Sequence, residues 1–184
     1  MENQMLIILV GESGVGKSTF AKAMNCPDNW YVSSKPMAEI LRQKGIKVTH
    51  DSIHAIAKEM YAKNPYWQVP YILSELKEKK FLVLDGPRQF SEVQRLIELC
   101  PNTLIVRIKS SLLNRYNRLQ NRDKISFKDF QKIQKDEAQE TGLEKILELA
   151  DILVENNGSL TKFKEVARKV GLLLSGYKKY GKNS

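Results

Sequence analysis

An α/β fold built on a parallel sheet is what this sequence predicts, and three observations carry it. Five short runs alternate with longer stretches of helical periodicity: MLIILV (5–10), WYVS (30–33), FLVLD (81–85), TLIVRI (103–108) and ILVEN (152–156). Four of the five are continuously apolar rather than alternating, which suits strands covered on both faces. The first run leads into a glycine-rich loop, Gly11 to Gly16, and then into a helical pattern. Strand and helix alternating along one chain imply a parallel sheet with right-handed crossovers.

Each helix has its own local signals. Lys17–Met24 follows the loop. Pro36–Lys44 has a proline in its first turn and Gly45 at its end. Asp51 is placed to cap a helix running to about Lys63. Ser91 is placed to cap the next, with Gln94 three residues on completing a capping box. Two strongly charged helices are expected at Ser110–Arg122 and Ser126–Glu140. Ser159 starts the last helix, where Leu160, Phe163, Val166, Ala167 and Val170 recur at helical spacing. Segment 112–140 is rich in Arg, Lys, Gln and Asn and poor in core-type residues, so it reads as a mobile helical lid over the strand ends. No linker or repeat divides the chain, and residues 1–184 are expected to form one domain.

Composition narrows the function classes. The chain has 184 residues, 42% of them hydrophobic and 28% charged, enough for a core without staples and unlike a disordered segment. Met5 to Val10 is six residues long, far below the roughly 20 a membrane span needs. The opening residues carry no basic stretch, so no secretory leader is expected. Cys26 and Cys100 lie far apart with no CxxC, which argues against a disulfide framework or a zinc site and for a reduced, cytoplasmic setting. Lys plus Arg is 30 against 21 acids, a formal charge of +9. A solvated basic surface would explain that balance. So would an anionic partner, either nucleotide phosphates or a nucleic acid.

Gly11-Glu12-Ser13-Gly14-Val15-Gly16-Lys17-Ser18 fits G-x-x-x-x-G-K-[ST] at every fixed position, between a strand and a helix. Glycines let backbone N–H groups turn inward around phosphate oxygens. The helix that follows presents free N–H groups and its positive dipole end to the same anion. Ser13, Gly14, Val15, Gly16 and Thr19 belong to that cradle, Lys17 reaches the β and γ phosphates, and the Ser18 hydroxyl faces Mg²⁺. A GTPase would add an N/T-K-x-D base-reading motif, which is absent. A helicase or transporter ATPase would need more chain, so a small-molecule kinase suits the length.

Three further features point the same way. Asp85 ends a buried strand, where an acid is costly unless it serves a purpose such as orienting the Mg²⁺ shell. Arg88 lies three residues beyond it and offers a bidentate fork to an acceptor phosphate. Arg115, Arg118 and Arg122 recur at intervals of three and four, hence on one helix face, where a migrating phosphoryl group would relieve their repulsion. His50 and His54 have a metal-like spacing but no third ligand, and read as surface histidines. Trp30, Trp67 and the tyrosines read as core or pocket wall rather than a stacking platform for nucleic acid.

Taken together, the chain resembles the nucleotide-kinase branch of the phosphate-loop proteins. It is most similar to the archaeal and viral dephospho-CoA-kinase-related nucleotide kinases and to (deoxy)nucleoside monophosphate kinases. GESGVGKST, FLVLDGPRQFSEVQRL, RYNRLQNRDK with FKDFQKIQKDEAQETG, and LADILVENNGSLTKF carry the resemblance over nearly the whole chain. It implies a three-layer phosphate-loop NTPase fold with strand order 2-3-1-4-5 and a helical lid. It further implies that Asn156 and Gly158 contact adenine, Arg88 the acceptor phosphate, and Arg115, Arg118 and Arg122 the phosphates from the lid.

One departure shapes the expected chemistry. Dephospho-CoA kinases end the second strand with an aspartate that takes a proton from the ribose hydroxyl, and here Ser33 and Ser34 stand there. A hydroxyl acceptor benefits from a base, whereas a phosphate acceptor is already an anion and needs positioning and neutralisation. The expected activity is ATP- and Mg²⁺-dependent phosphoryl transfer to a nucleoside or deoxynucleoside monophosphate, with Ser33, Ser34 and Arg42 as acceptor contacts. Dephospho-CoA is the alternative acceptor. A nucleic-acid-binding ATPase that grips its partner through the lid and the basic tail (Tyr177–Lys182) is the further alternative.

Overall fold

The computed structural model of the chain describes residues 4–140 and 142–176. Strands β1 (Met5–Val10), β2 (Trp30–Val32), β3 (Phe81–Asp85), β4 (Thr103–Lys109) and β5 (Ile152–Glu155) form one parallel sheet in the order β2-β3-β1-β4-β5. This is the arrangement that the resemblance implies. β1 lies between β3 and β4, with Leu9 opposite Asp85 and Val10 opposite Arg107. That register brings the loops after β1 and β3 to one edge, so residues remote in sequence meet at the strand C-termini.

Alternation along β1 builds the layers. Leu6, Ile8 and Val10 pack on one face with Ile72, Leu76, Val93, Leu96 and Ile146. These come from α4 (Val69–Lys77), α5 (Phe90–Leu99) and α8 (Leu143–Glu148). Ile7 and Leu9 pack on the other face with Phe20 and Ala21 of α1 (Lys17–Ala23) and Phe163 and Ala167 of α9 (Leu160–Gly176). Leu6 through Val10 are fully buried, each contributing about 1.5–3 kcal/mol of transfer free energy. That makes β1 a rigid base for the loop that follows it.

A third, smaller core joins α2 (Lys35–Gln43) and α3 (His50–Lys63) through Met37, Leu41, Ile56, Tyr61 and Trp67. It supports an arm beside the sheet edge. The remaining helices are α6 (Leu112–Asp123) and α7 (Phe127–Glu140). Cys26 and Cys100 are both free thiols.

Several local expectations need correction. The α3 cap is Thr49, not Asp51. The Thr49 hydroxyl accepts from Ser52 N–H and the Ser52 hydroxyl accepts from Thr49 N–H, a reciprocal box that starts the helix at His50. Asp51 instead lies in the first turn, beside the dipole's positive end. α5 starts at Phe90 after an extended Gln89 with no side-chain cap, so the Ser91–Gln94 box does not form. Helices α4, which carries Pro70 in its first turn, and α8, only six residues long, add to the expected elements.

The charged helix pair also differs from expectation, because it is not short of core. Leu119 is 2% exposed, Phe130 0% and Ile133 8%, and Tyr116, Phe127 and Phe130 form an aromatic cluster with centroids 5.3–6.3 Å apart. Leu112 and Leu113 stay exposed, but Tyr116 of α6 meets Phe127 and Phe130 of α7, a contact that composition averaged over the segment conceals.

Candidate active site

The glycine-rich loop runs from the end of β1 into α1. Gly14 and Gly16 take φ of 82° and 106°, which L side chains rarely adopt. Space forbids a side chain there as well. A Cβ on Gly16 would stand 2.6 Å from Asn156 Nδ2, and one on Gly14 would stand 2.8 Å from the Arg115 carbonyl oxygen.

The loop's carbonyls are tied from behind. Asn156 Nδ2 donates to Val15 O at 2.7 Å, Arg115 Nε to Ser13 O at 2.9 Å, and Arg118 Nη1 to Gly14 O at 3.2 Å. Arg118 also binds Asn156 O at 2.7 Å and Ser110 Oγ at 3.1 Å. Carbonyls held on the outer side favour N–H groups facing the concave side, the arrangement an anion requires.

Lys17 folds back, donating to Gly11 O at 2.7 Å and Glu12 O at 3.2 Å. Burial, and then the Arg88 guanidinium, push its ammonium down to about 8, although Asp85, Glu137 and Glu12 pull the other way. Beside it the Ser18 hydroxyl donates to Asp85 Oδ2 at 2.8 Å. Asp85 is 4% exposed. A buried carboxylate and a hydroxyl at this spacing form a pair of hard oxygen donors next to the phosphate cradle.

Arg88 Nη2 pairs with Glu137 Oε1 at 2.8 Å, while its Nη1 is buried with no hydrogen-bond partner among the described residues. Glu137, on α7, also accepts from Ser13 N–H at 2.9 and 3.2 Å and from Ser13 Oγ at 2.6 Å. These groups line a cavity of about 1310 Å³. Met37, Ile53, Ala57, Tyr61 and Ile133 add apolar side chains to its lining.

The structure brings Ser13, Gly14, Gly16, Lys17, Ser18, Thr19, Ser33, Ser34, Asp85, Arg88, Arg118 and Arg122 to this one cavity. Gly11 and Val15, in the same loop, are buried. Arg115 is 5% exposed and sits behind the loop, between Glu12 (3.6 Å) and Glu137 (3.5 Å). Arg122 pairs with its neighbour Asp123 at 2.6 Å and its side chain is 70% exposed. The three arginines thus share a helix but not an environment. Arg42 is exposed near the end of α2, outside the cavity lining. A Cβ on Gly158 would meet nothing within 4 Å. His50 is exposed, as expected of a surface histidine, and His54 is half-buried; both border the cavity, with near-parallel rings 6.4 Å apart. Trp67 is buried in the third core cluster, and Trp30 is half-buried beneath Lys22.

Glu137 and Asp136 are cavity residues that sequence reasoning did not single out. A signal for Glu137 was present. It follows Phe130 and Ile133 at intervals of three and four, which puts an acid in line with the buried face of its helix.

No family model matches the chain. Among curated proteins it is similar to a UPF0200/UPF0201 protein of Archaeoglobus fulgidus, with 28% identity over 182 residues, 92% of this chain and 56% of that protein. The chain therefore spans little more than half of that relative's length. A UPF0200 protein of Thermococcus sibiricus is 24% identical over 191 residues, 96% of this chain and 98% of that one. Among solved structures, shikimate kinase of Acinetobacter baumannii in complex with shikimate superposes with a TM-score of 0.57 at 19% identity, covering 97% of each chain. Dephospho-CoA kinase of Campylobacter jejuni gives 0.55 at 16% identity over 93% of this chain and 97% of that one. A gluconokinase of Sinorhizobium meliloti gives 0.53 at 16% identity over the whole of both. The chain has the fold of the phosphate-loop kinases.

Proposed function

We propose that this protein is an ATP-dependent, Mg²⁺-dependent kinase acting on a small nucleotide, a nucleoside or deoxynucleoside monophosphate above all. The observation that carries the reading is the meeting of Lys17, the Ser18–Asp85 pair and Arg88 in one cavity whose lining also includes apolar side chains of α2, α3 and α7. The loop amides and Lys17 hold the donor's β and γ phosphates. Arg88, whose Nη1 is buried without a partner among the described residues, holds the acceptor's phosphate. The apolar side chains of α2, α3 and α7 accommodate the acceptor's ring.

Ser18 and Asp85 fit a hard divalent cation, since both offer oxygen. No group of three His, Cys, Asp or Glu side chains among the described residues is placed to hold a metal alone. That suits an ion that arrives with the nucleotide, completes its shell from phosphates and water, and neutralises charge in transfer. Arg122, exposed on α6, is the lid cation that would exchange Asp123 for the transferring group.

A hydroxyl acceptor such as dephospho-CoA is the second reading. Asp136 and Glu137 favour it, because they bring to the cavity carboxylates that the end of β2 does not supply. The fold it shares with shikimate kinase, gluconokinase and dephospho-CoA kinase is equally compatible with such acceptors. For the nucleic-acid reading, Tyr177–Lys182 lies outside the described residues.

An acceptor panel with ATP tests these readings. Nucleoside monophosphates should drive ADP formation, and chelation of Mg²⁺ should stop it. Turnover with dephospho-CoA alone would shift the assignment to the second reading. ATP hydrolysis stimulated by nucleic acid with no small acceptor would shift it to the third.

A further inference from the structure

A carboxylate of the protein itself is seated on the phosphate loop. Both Glu137 carboxylate oxygens lie within hydrogen-bond distance of Ser13 N–H, at 2.9 and 3.2 Å, and one accepts from Ser13 Oγ at 2.6 Å. Arg88 approaches at 2.8 Å and Arg115 at 3.5 Å. A loop amide, a loop hydroxyl and two guanidinium groups are the donors a phosphate would use. Glu137 is 7% exposed, so this contact is not a solvated surface pair. Burial works against its charge, yet Arg88, the Ser13 hydrogen bonds, Lys17 and Arg115 together hold its carboxyl below the ordinary range. The group is an ionised carboxylate seated in a cationic cradle.

The geometry points to Glu137 as an internal phosphate surrogate: α7 latches onto the phosphate loop through it, and ATP must expel it to bind. This inference rests on reading the loop as a nucleotide site. A triphosphate brings more charge and more acceptor oxygens than one carboxylate and also engages Lys17, so it wins the exchange. Displaced from Ser13, Glu137 frees both the loop amide and Arg88. Nucleotide binding would then release α7 from the loop and hand Arg88 to the acceptor in one step. Wild-type affinity is lowered by the fraction of molecules in which the latch is closed.

Calorimetric titration of the full chain with ATP, without acceptor, tests this together with thermal melts of the free proteins. Glu137→Gln should bind ATP about tenfold more tightly if the latch is open in only about a tenth of wild-type molecules. The same variant should melt at lower temperature without ligand, because its ion pairs are lost. A residue that merely braces the site would lose stability and affinity together. Unchanged or weaker ATP binding by folded Glu137→Gln, with normal binding by wild type, overturns the latch and leaves the nucleotide reading standing. Absence of ATP binding by wild type overturns the nucleotide reading itself, and the latch with it. Should Glu137→Gln fail to fold, Glu137→Asp serves the same test. It keeps the charge but falls short of Ser13, and unchanged or weaker ATP binding there also overturns the latch.

Discussion

Asn156 Nδ2 donates a 2.7 Å hydrogen bond to the carbonyl oxygen of Val15, joining the exit of β5 to the centre of the phosphate loop across 141 residues. Asn156 is 5% exposed, and its own carbonyl is held by Arg118 at 2.7 Å. The side chain that the family resemblance assigns to adenine is therefore also a strut of the phosphate cradle.

Asn156→Ala should lower stability by about 0.5–1.5 kcal/mol, the net worth of one hydrogen bond, because Arg118 Nη1 still reaches Val15 O at 3.4 Å. ATP binding should weaken as well. Denaturant unfolding and ATP titration of the same preparation check both. A variant that lost ATP affinity with unchanged stability would make Asn156 a ligand contact only.

Lys17 predicts a pH dependence. Its ammonium is lowered from 10.5 to about 8 in the folded chain by burial and by Arg88. Between those two values the unfolded chain binds more protons than the folded one, so stability should rise with pH across the window. Bound phosphates favour the ammonium, so ATP binding above about pH 8 takes up a proton. Affinity should then fall by at most about tenfold per pH unit. Lys17→Ala should remove that dependence above about pH 8 and reduce turnover by about 10²–10³. ATP titrations between about pH 7 and about pH 9.5 are decisive, and a flat wild-type profile would contradict the assignment.

Arg88 lies between Ser13 (3.4 Å) and Glu137, with a second nitrogen free of partners among the described residues. Arg88→Lys keeps the charge and loses the fork. Acceptor KM should rise by about tenfold or more, the worth of one charge-assisted hydrogen bond, while ATP KM changes less. Steady-state kinetics with each substrate varied in turn checks this. A defect confined to ATP would place the guanidinium on the donor.

Arg115 and Arg122 should separate sharply despite sharing α6. Arg115 is buried against Ser13 O, Glu12 and Glu137, so Arg115→Ala should cost about 3–5 kcal/mol of stability. Arg122 is largely exposed and paired with Asp123, so Arg122→Ala should lower kcat with little change in melting temperature. Equal thermal losses would show that Arg122 is structural too.

The sequence by itself determined the sheet, the phosphate loop and much of the site's composition. Continuous apolar runs specify strands buried on both faces. A fixed glycine spacing encodes the loop's backbone shape, and Asp85 and Arg88 are legible because they sit next to β3 in the chain. Those signals are local, and local chemistry can be read one segment at a time.

Only the tertiary structure decided the roles within one helix face and across the cavity. It alone divides Arg115, Arg118 and Arg122 into a buried strut, a loop clamp and an exposed arm, because burial depends on what α7 and β5 bring against each. It alone places Glu137 on Ser13, 124 residues away. Helical periodicity can show that an acid lies in line with Phe130 and Ile133, but not which cation faces it. That pairing follows from how α7 docks over the sheet edge, where a carboxylate's desolvation must be offset by whichever donors the docking supplies.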